Sequence, residues 1–204
     1  MISSSLLLLL MVISPVRAAD PARELVESTT EQLLNTFRAQ LDILRSDPRR
    51  RRELVETILV PHLDFETAAR WVLGRYWRRA SPEQRREFVA AFRRLLLNTY
   101  GTAFTEYLDI DIRYRPGRYS DDGRRAAVEA VLIPQRGPPV NLEYRLHRRD
   151  GAWKGYDVII DGISFIVTYR NTMAEEIRRY GLDGLLERLE DKIEGNELPW
   201  SDFR

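Results

Sequence analysis

The chain contains no cysteine in its 204 residues. Disulfides, a thiol nucleophile and any cysteine-ligated metal are therefore excluded, and stability must come from a packed core. Lysine is nearly absent too: two Lys stand beside 30 Arg, a bias that a GC-rich coding sequence explains without any arginine-specific function. Only two histidines occur, His62 after Pro61 at a helix end and His147 on the polar phase of a strand pattern. Each reads as a solvated or capping residue, and together they supply no metal site. The chain also lacks a G-x-S-x-G elbow, a phosphate loop, a dinucleotide fingerprint and an H-E-x-x-H pair. No apolar run approaches the roughly 20 residues that span a bilayer.

What is present begins with an export pattern. The apolar block Leu6 to Ile13 runs into Ser14-Pro15 and then Val16-Arg17-Ala18, a small-x-Ala cleavage site. Residues 1–18 are thus expected to be a signal peptide, although Met1 to Ser5 carry no basic residue. The mature chain would start at Ala19 and form one domain over 19–195, followed by a flexible tail, 196–204. Once Arg17 is removed, the 32 basic and 31 acidic side chains balance. Bulk charge therefore gives no reason to expect nucleic acid or an anionic membrane as partner.

Hydrophobic periodicity divides the mature chain into helices, then strands, then helices. That segregation predicts an α+β fold. Leu25, Leu33, Leu34, Phe37, Leu41 and Leu44 give a first helix from about Ala22 to Arg45. Asp47-Pro48 opens a second through Leu54, Val55, Ile58 and Leu59, and Asp64 caps a short third through Ala68, Trp71, Val72 and Leu73. Ser81-Pro82-Glu83-Gln84 is a capping box, followed by the wide aromatic stripe Phe88, Phe92, Leu95, Leu96, Tyr100, Phe104 and Tyr107.

From Asp109 the period becomes two. Ile110 to Tyr114, Arg124 to Ile133, Val140 to Leu146 and Trp153 to Ile160 read as about four antiparallel strands. Pro116-Gly117 and Asp121-Asp122-Gly123 punctuate them, and Asp150-Gly151 makes a tight hairpin. Asp161-Gly162 ends the meander. Ile163, Phe165, Ile166, Val167 and Tyr169 open a further helix, which Gly181 separates from a last one, Leu182 to Ile193.

Two chemical readings follow from the residues. An inward tyrosine and carboxylate in a small α+β cone can move protons on an apolar substrate, which makes Tyr156 with Asp157 or Asp161 the enzymatic alternative. Strand alternation puts Asp157 on the face opposite Tyr156, and Asp161 is placed to cap the helix after Gly162. The second reading is a ligand cavity where aromatic helix stripes cross a twisted sheet, and a filled core remains a third.

Several stretches resemble the MlaC, or toluene-tolerance auxiliary, family of the maintenance-of-lipid-asymmetry system. They are Leu73-Gly74-Arg75-Tyr76-Trp77 with Ala80-Ser81-Pro82-Glu83-Gln84-Arg85, the run Phe88 to Gly101, Tyr156 to Ser164 (YDVIIDGIS) ahead of Tyr169-Arg170-Asn171, and Gly181 to Leu185 (GLDGL). The resemblance implies a non-enzymatic, monomeric periplasmic carrier with no cofactor. Its twisted sheet and helices would enclose an apolar cavity for phospholipid tails. Its partners would be an outer-membrane lipoprotein-porin complex and an inner-membrane ABC transporter with a membrane-anchored substrate-binding subunit. Side chains of suitable type and phase to line that cavity are Leu73, Tyr76, Phe92, Leu96, Tyr100 and Phe104 from helices. Val128, Tyr144, Tyr156 and Val158 would come from strands, and Ile163 and Ile166 from the segment after them. Arg75, Arg78 and Arg79 are the arginines expected to meet the head group at the mouth.

Overall fold

The structure, a computed structural model, describes residues 19–100 and 108–195. The expected signal peptide, the tail, Phe104 and Tyr107 lie outside the described residues. Helices α1 (Pro21–Ala39), α2 (Leu41–Ser46), α3 (Pro48–Ile58), α4 (Phe65–Leu73) and α5 (Pro82–Tyr100) precede the sheet, and α6 (Phe165–Glu194) follows it. Short 3-10 turns at Val60–His62 and Gly74–Arg78 flank α4.

Side-chain caps start these helices where the sequence places them. Asp20 accepts from the Arg23 amide (3.2 Å), and Asp47 accepts from the Arg49 and Arg50 amides. The box at α5 is reciprocal: the Gln84 amide donates to Ser81 Oγ (3.1 Å) while the Ser81 amide donates to Gln84 Oε1 (2.9 Å). Each such pair satisfies amides that the first helical turn leaves without partners. The expected helix 22–45 is in fact two, because Gln40 leaves helical geometry at φ −121°. Leu41 and Leu44 keep the apolar spacing across the break, so both pieces pack on α3 in one cluster with Phe37, Leu54, Val55 and Ile58.

The sheet has six strands: β1 (Ile110–Tyr114), β2 (Arg118–Tyr119), β3 (Arg125–Pro134), β4 (Val140–Arg149), β5 (Ala152–Ile160) and β6 (Ile163–Ser164). Their order is β1-β3-β4-β5-β6, all pairs antiparallel, with β2 also on β3. The four long strands are those the alternation predicts. The other two are only two residues long, too short to show a period. Since β1 pairs with Ala130 to Pro134 and β2 with Ala126 and Ala127, they form one interrupted edge. Pro116, lacking an N–H, is tolerated at such an edge. Both Asp150-Gly151 and Asp161-Gly162 have positive φ at the two residues, as tight hairpins require. The second therefore turns β5 into β6 rather than ending the sheet.

Register sorts the sheet into two faces. Ile112, Tyr114, Val128, Leu142, Tyr144 and Val158 share the inner one. Arg113, Glu129, Glu143 and Arg145 share the outer one, where Arg118 pairs with Glu129 and Glu143. Helix α1 lies on the inner face, burying Ala22 and Val26 with Ala126, Val128, Leu146 and Trp153. A separate cluster joins α4, α5 and α6 around Phe88, Phe92, Tyr169, Met173, Leu185 and Leu189. Gly181, at φ 74°, breaks α6 as expected and lets its second half return onto that cluster.

Candidate functional site

The residues with the apolar chemistry of a lipid site divide between the inner sheet face and the helical cluster. On the sheet, Val128 is buried, whereas Tyr144 and Val158, opposite each other in register, remain half-exposed. Burial pushes the Tyr144 phenol far above its ordinary pKa, with the neighbouring Tyr114 adding to the shift. The Tyr144 ring is thus largely packed but keeps some accessible surface. Ile112, Leu132, Val140 and Ile160 on the same face are half-exposed in the same way.

In the helices, Leu73, Phe92 and Ile166 are buried, and Tyr76, Leu96, Tyr100 and Tyr156 pack at the margin of the same cluster. The Tyr100 ring lies 4.8 Å from that of Phe165, and its hydroxyl is 3.4 Å from the Tyr169 hydroxyl. Ile163 departs from the expected lining: it is 66% exposed, because β6 is an edge strand of two residues. Ile112, Leu142 and Ile160 were missing from the expected set, although they share the period-two phase of Tyr144 and Val158. Leu142 pairs directly with Ile160.

Arg75, Arg78 and Arg79 are exposed on the turn after α4. Arg75 lies over the Tyr76 ring at 4.9 Å and donates to its hydroxyl at 2.8 Å. Of two shallow clefts elsewhere, one of about 280 Å³ on α3 is lined by Pro48 and the charged Arg49, Arg52, Glu53 and Glu56, and one of about 210 Å³ on the outer sheet face mixes Arg115, Glu129 and Glu143 with Ala130, Val131, Leu142 and Ile159.

The carboxylates weighed as catalytic groups are engaged in holding the fold. A β-bulge makes Tyr156 an extra residue between the Leu146–Gly155 and Arg145–Asp157 pairs. Strict alternation fails there, and Tyr156 and Asp157 both face the helical cluster. Asp157, not Asp161, helps to cap α6: it accepts from the Ile166 amide (3.1 Å) and Ser164 Oγ (2.7 Å), with Arg145 at 3.6 Å. Ser164 is the N-cap, accepting from the Val167 amide. Asp161 instead ties its hairpin to β4 by accepting from the Asn141 amide (2.9 Å). Burial raises the pKa of the Tyr156 phenol, so it stays protonated and is a weaker proton donor near neutral pH.

The most heavily bonded carboxylate is Asp64. It caps α4 through the Thr67 amide (2.9 Å) and hydroxyl (2.8 Å), and meets His147 Nε2 (2.8 Å) and Arg149 Nη1 (2.7 Å) from β4. Burial alone would raise its pKa; the hydrogen bonds from Thr67, Arg149 and His147 outweigh that and hold it at about 2. His147 is thus a strut between sheet and helix rather than a solvated residue. Among the described residues no group of three His, Asp or Glu is arranged to hold a metal, and no helix is long and apolar enough to cross a membrane.

This architecture and sequence have close counterparts. The family model described as MlaC protein matches residues 27–191. The toluene tolerance protein ttg2D of Pseudomonas putida is 31% identical over 167 residues, covering 81% of this chain and 77% of its own. The intermembrane phospholipid transport system binding protein MlaC of Haemophilus influenzae is 25% identical over 169 residues, covering 81% and 79%. Among solved structures, the phospholipid-binding protein from Ralstonia solanacearum, in complex with a phospholipid, superimposes with a TM-score of 0.79 at 30% identity, over 87% of this chain and 99% of that one. The match is continuous from α1 into the second half of α6, and the chain belongs to the MlaC family.

Proposed function

We propose that this chain is a periplasmic phospholipid carrier, with a cavity for acyl tails between the inner sheet face and the helices. The observation that carries the reading is the 30%-identical relative, which matches over almost its whole length and holds a phospholipid. The partly exposed inner face supports it physically, since apolar surface that folding does not bury is surface that a tail can cover. Tyr144 and Val158 would form the sheet wall, and Leu96 and Tyr100 the helix wall. Leu73, Tyr76, Phe92, Tyr156 and Ile166 would back it. Arg75, Arg78 and Arg79 stay outside, where a head group would emerge.

Cargo of this kind does not leave by itself. Burying one methylene is worth about 0.8 kcal/mol, so a tail of about sixteen carbons gains roughly 12 kcal/mol and two gain roughly 24, above the ceiling of about 18 to 21 for non-covalent binding. Ordering costs and incomplete desolvation reduce the gross figure. What remains still makes release into water slow, so transfer is expected only in contact with membrane-anchored partners. In this reading those are an outer-membrane lipoprotein-porin complex on one side and an inner-membrane ABC transporter on the other.

The test is native mass spectrometry of protein purified from a bacterial periplasm. Phospholipid retained on monomeric protein is the expected result. Repeated recovery of lipid-free protein that also takes up no lipid from vesicles would sink the reading.

A further inference from the structure

We infer that the end of α4, the turn after it and the start of α6 form a surface that docks on anionic phospholipid bilayers. The inference rests on the carrier reading only in supposing that the protein meets membranes. Whole-chain charge is balanced, but its distribution is not. Residues 70–79, RWVLGRYWRR, hold four arginines, two tryptophans and a tyrosine with no acidic residue.

The fold brings a fifth arginine to this segment. Arg170 of α6 donates from Nε to the Trp71 carbonyl (2.8 Å) and lies over the Trp71 ring at 5.9 Å. Arg70, Arg75, Arg78, Arg79 and Arg170 have no carboxylate partner among the described residues. Several arginines of the outer sheet face do: Arg113, Arg115, Arg118, Arg145 and Arg149 are each paired.

Apolar side chains interleave with these cations. Trp71 is 54% exposed, and Val167, one helical turn before Arg170, is 48% exposed. Ile163, in the strand that feeds α6, is 66% exposed as well. An exposed tryptophan and aliphatics set among unpaired guanidinium groups suit the boundary of a bilayer. There the indole sits at head-group level, the aliphatics reach the acyl boundary and the guanidinium forks pair with phosphates. A surface negative in charge is the electrostatic complement of this patch, and contact through so few residues makes the docking weak and salt-sensitive.

The test uses the mature, lipid-loaded chain and vesicles of equal parts phosphatidylglycerol and phosphatidylcholine, read by co-flotation. Binding at low salt is expected, falling about tenfold or more on pure phosphatidylcholine and in about 0.5 M salt, where screening shortens to a few ångströms. Trp71→Ser, and Arg70→Glu combined with Arg170→Glu, should each reduce binding about tenfold, as loss of interfacial aromatic or basic contacts demands. Arg124→Glu with Arg136→Glu makes the same charge change on the hairpins and should leave binding unchanged. Native mass spectrometry of each variant reads cargo separately. Retained lipid with lost vesicle binding supports docking, whereas lipid-free wild-type protein counts against the carrier reading alone. Vesicle binding that is absent in the wild type, or equal in all variants, overturns the inference. Vesicle binding absent while the Trp71 variant loses capture by a membrane protein complex would assign the surface to that protein and equally overturn it.

Discussion

The helical cluster and the inner sheet face are both apolar, yet they finish their packing differently. In the cluster Phe88 stacks on Phe92 with centroids 5.7 Å apart, Phe92 meets Tyr169 edge-on at 5.4 Å, and Met173, Leu185 and Leu189 are fully buried around them. On the sheet only the part beneath α1, around Ala126, Val128 and Leu146, is closed to that degree. Tyr144, Val158, Ile160 and Val140 keep accessible surface. One region completes its own interior. The other carries apolar area that folding leaves uncovered, at roughly 25 cal/mol for each Å² an occupant could remove from water. Stability should therefore reside in the helices and binding in the sheet.

The largest test of that division is truncation in each region. Phe88→Ala empties a fully buried site and should cost about 3–5 kcal/mol in urea unfolding, whether or not lipid is bound. Val158→Ala in delipidated protein should cost less than about 1.5 kcal/mol, because its side chain is only partly buried. Equal losses at the two positions would erase the distinction.

Next in size is the strut that joins the helical cluster to the sheet. Asp64→Ala leaves Arg149 and His147 without their shared carboxylate and α4 without its cap, a loss of about 3 kcal/mol or more. The pH dependence has a definite sign. Asp64 has a folded pKa of about 2, below the unfolded value of about 3.9. Its contribution is therefore complete above about pH 4 and disappears as pH falls toward 2. Thermal melts over that window should show a step in the wild type that Asp64→Asn lacks.

The strut also shows how far sequence reading reaches. Asp64 as a cap, the Ser81 to Gln84 box and the four long strands are local signals: a side chain bonding an amide within three residues, or a strict period of two. The partners Asp64 takes from β4 are 83 and 85 residues away, and no local pattern announces them. The exchange of roles between Asp157 and Asp161 has the same origin. Capping α6 from a strand depends on where β5 passes the helix start, and the bulge at Tyr156 shifts every later side chain relative to simple alternation. Exposure was hidden for a different reason. Trp71 and Ile163 have the side chains of core residues, and only the tertiary arrangement leaves them outside. The break at Gln40 was invisible because apolar spacing continues across it. For the candidate site, the register sets Tyr144 opposite Val158, whereas a period of two carries no information on the depth at which each residue lies.

A smaller effect on stability, with a large one on cargo, is expected on the inner face itself. Val158→Asp puts a charge where a tail would lie, and unpaired charge in such surroundings is strongly unfavourable. Lipid recovered with the purified variant should fall severalfold, while delipidated wild type and variant melt within a few degrees of each other. Adding lipid should raise the melting temperature of the wild type only, by mass action. A variant that retains lipid at wild-type levels would move the binding region away from the sheet.

The smallest expected effect lies on the surface of the more stable region. Arg94 of α5 pairs with Glu190 in the second half of α6, linking the helix that leads into the sheet with the end of the helix that leaves it. Its position suggests a clamp, but both side chains are nearly half-exposed. In water the Coulomb gain is small, two long side chains must be ordered to obtain it, and salt screens what is left. The buried contacts of Leu185, Leu186 and Leu189 hold the same segment without electrostatics. Glu190→Gln should therefore lower stability by about 0.2–1 kcal/mol at low salt, and the difference should vanish in about 0.5 M salt. Urea midpoints of wild type and variant at both salt concentrations measure this directly. A loss above about 2 kcal/mol that persists in high salt would mean that the returning half of α6 depends on this ion pair, and that the helical cluster is less self-sufficient than its burial implies.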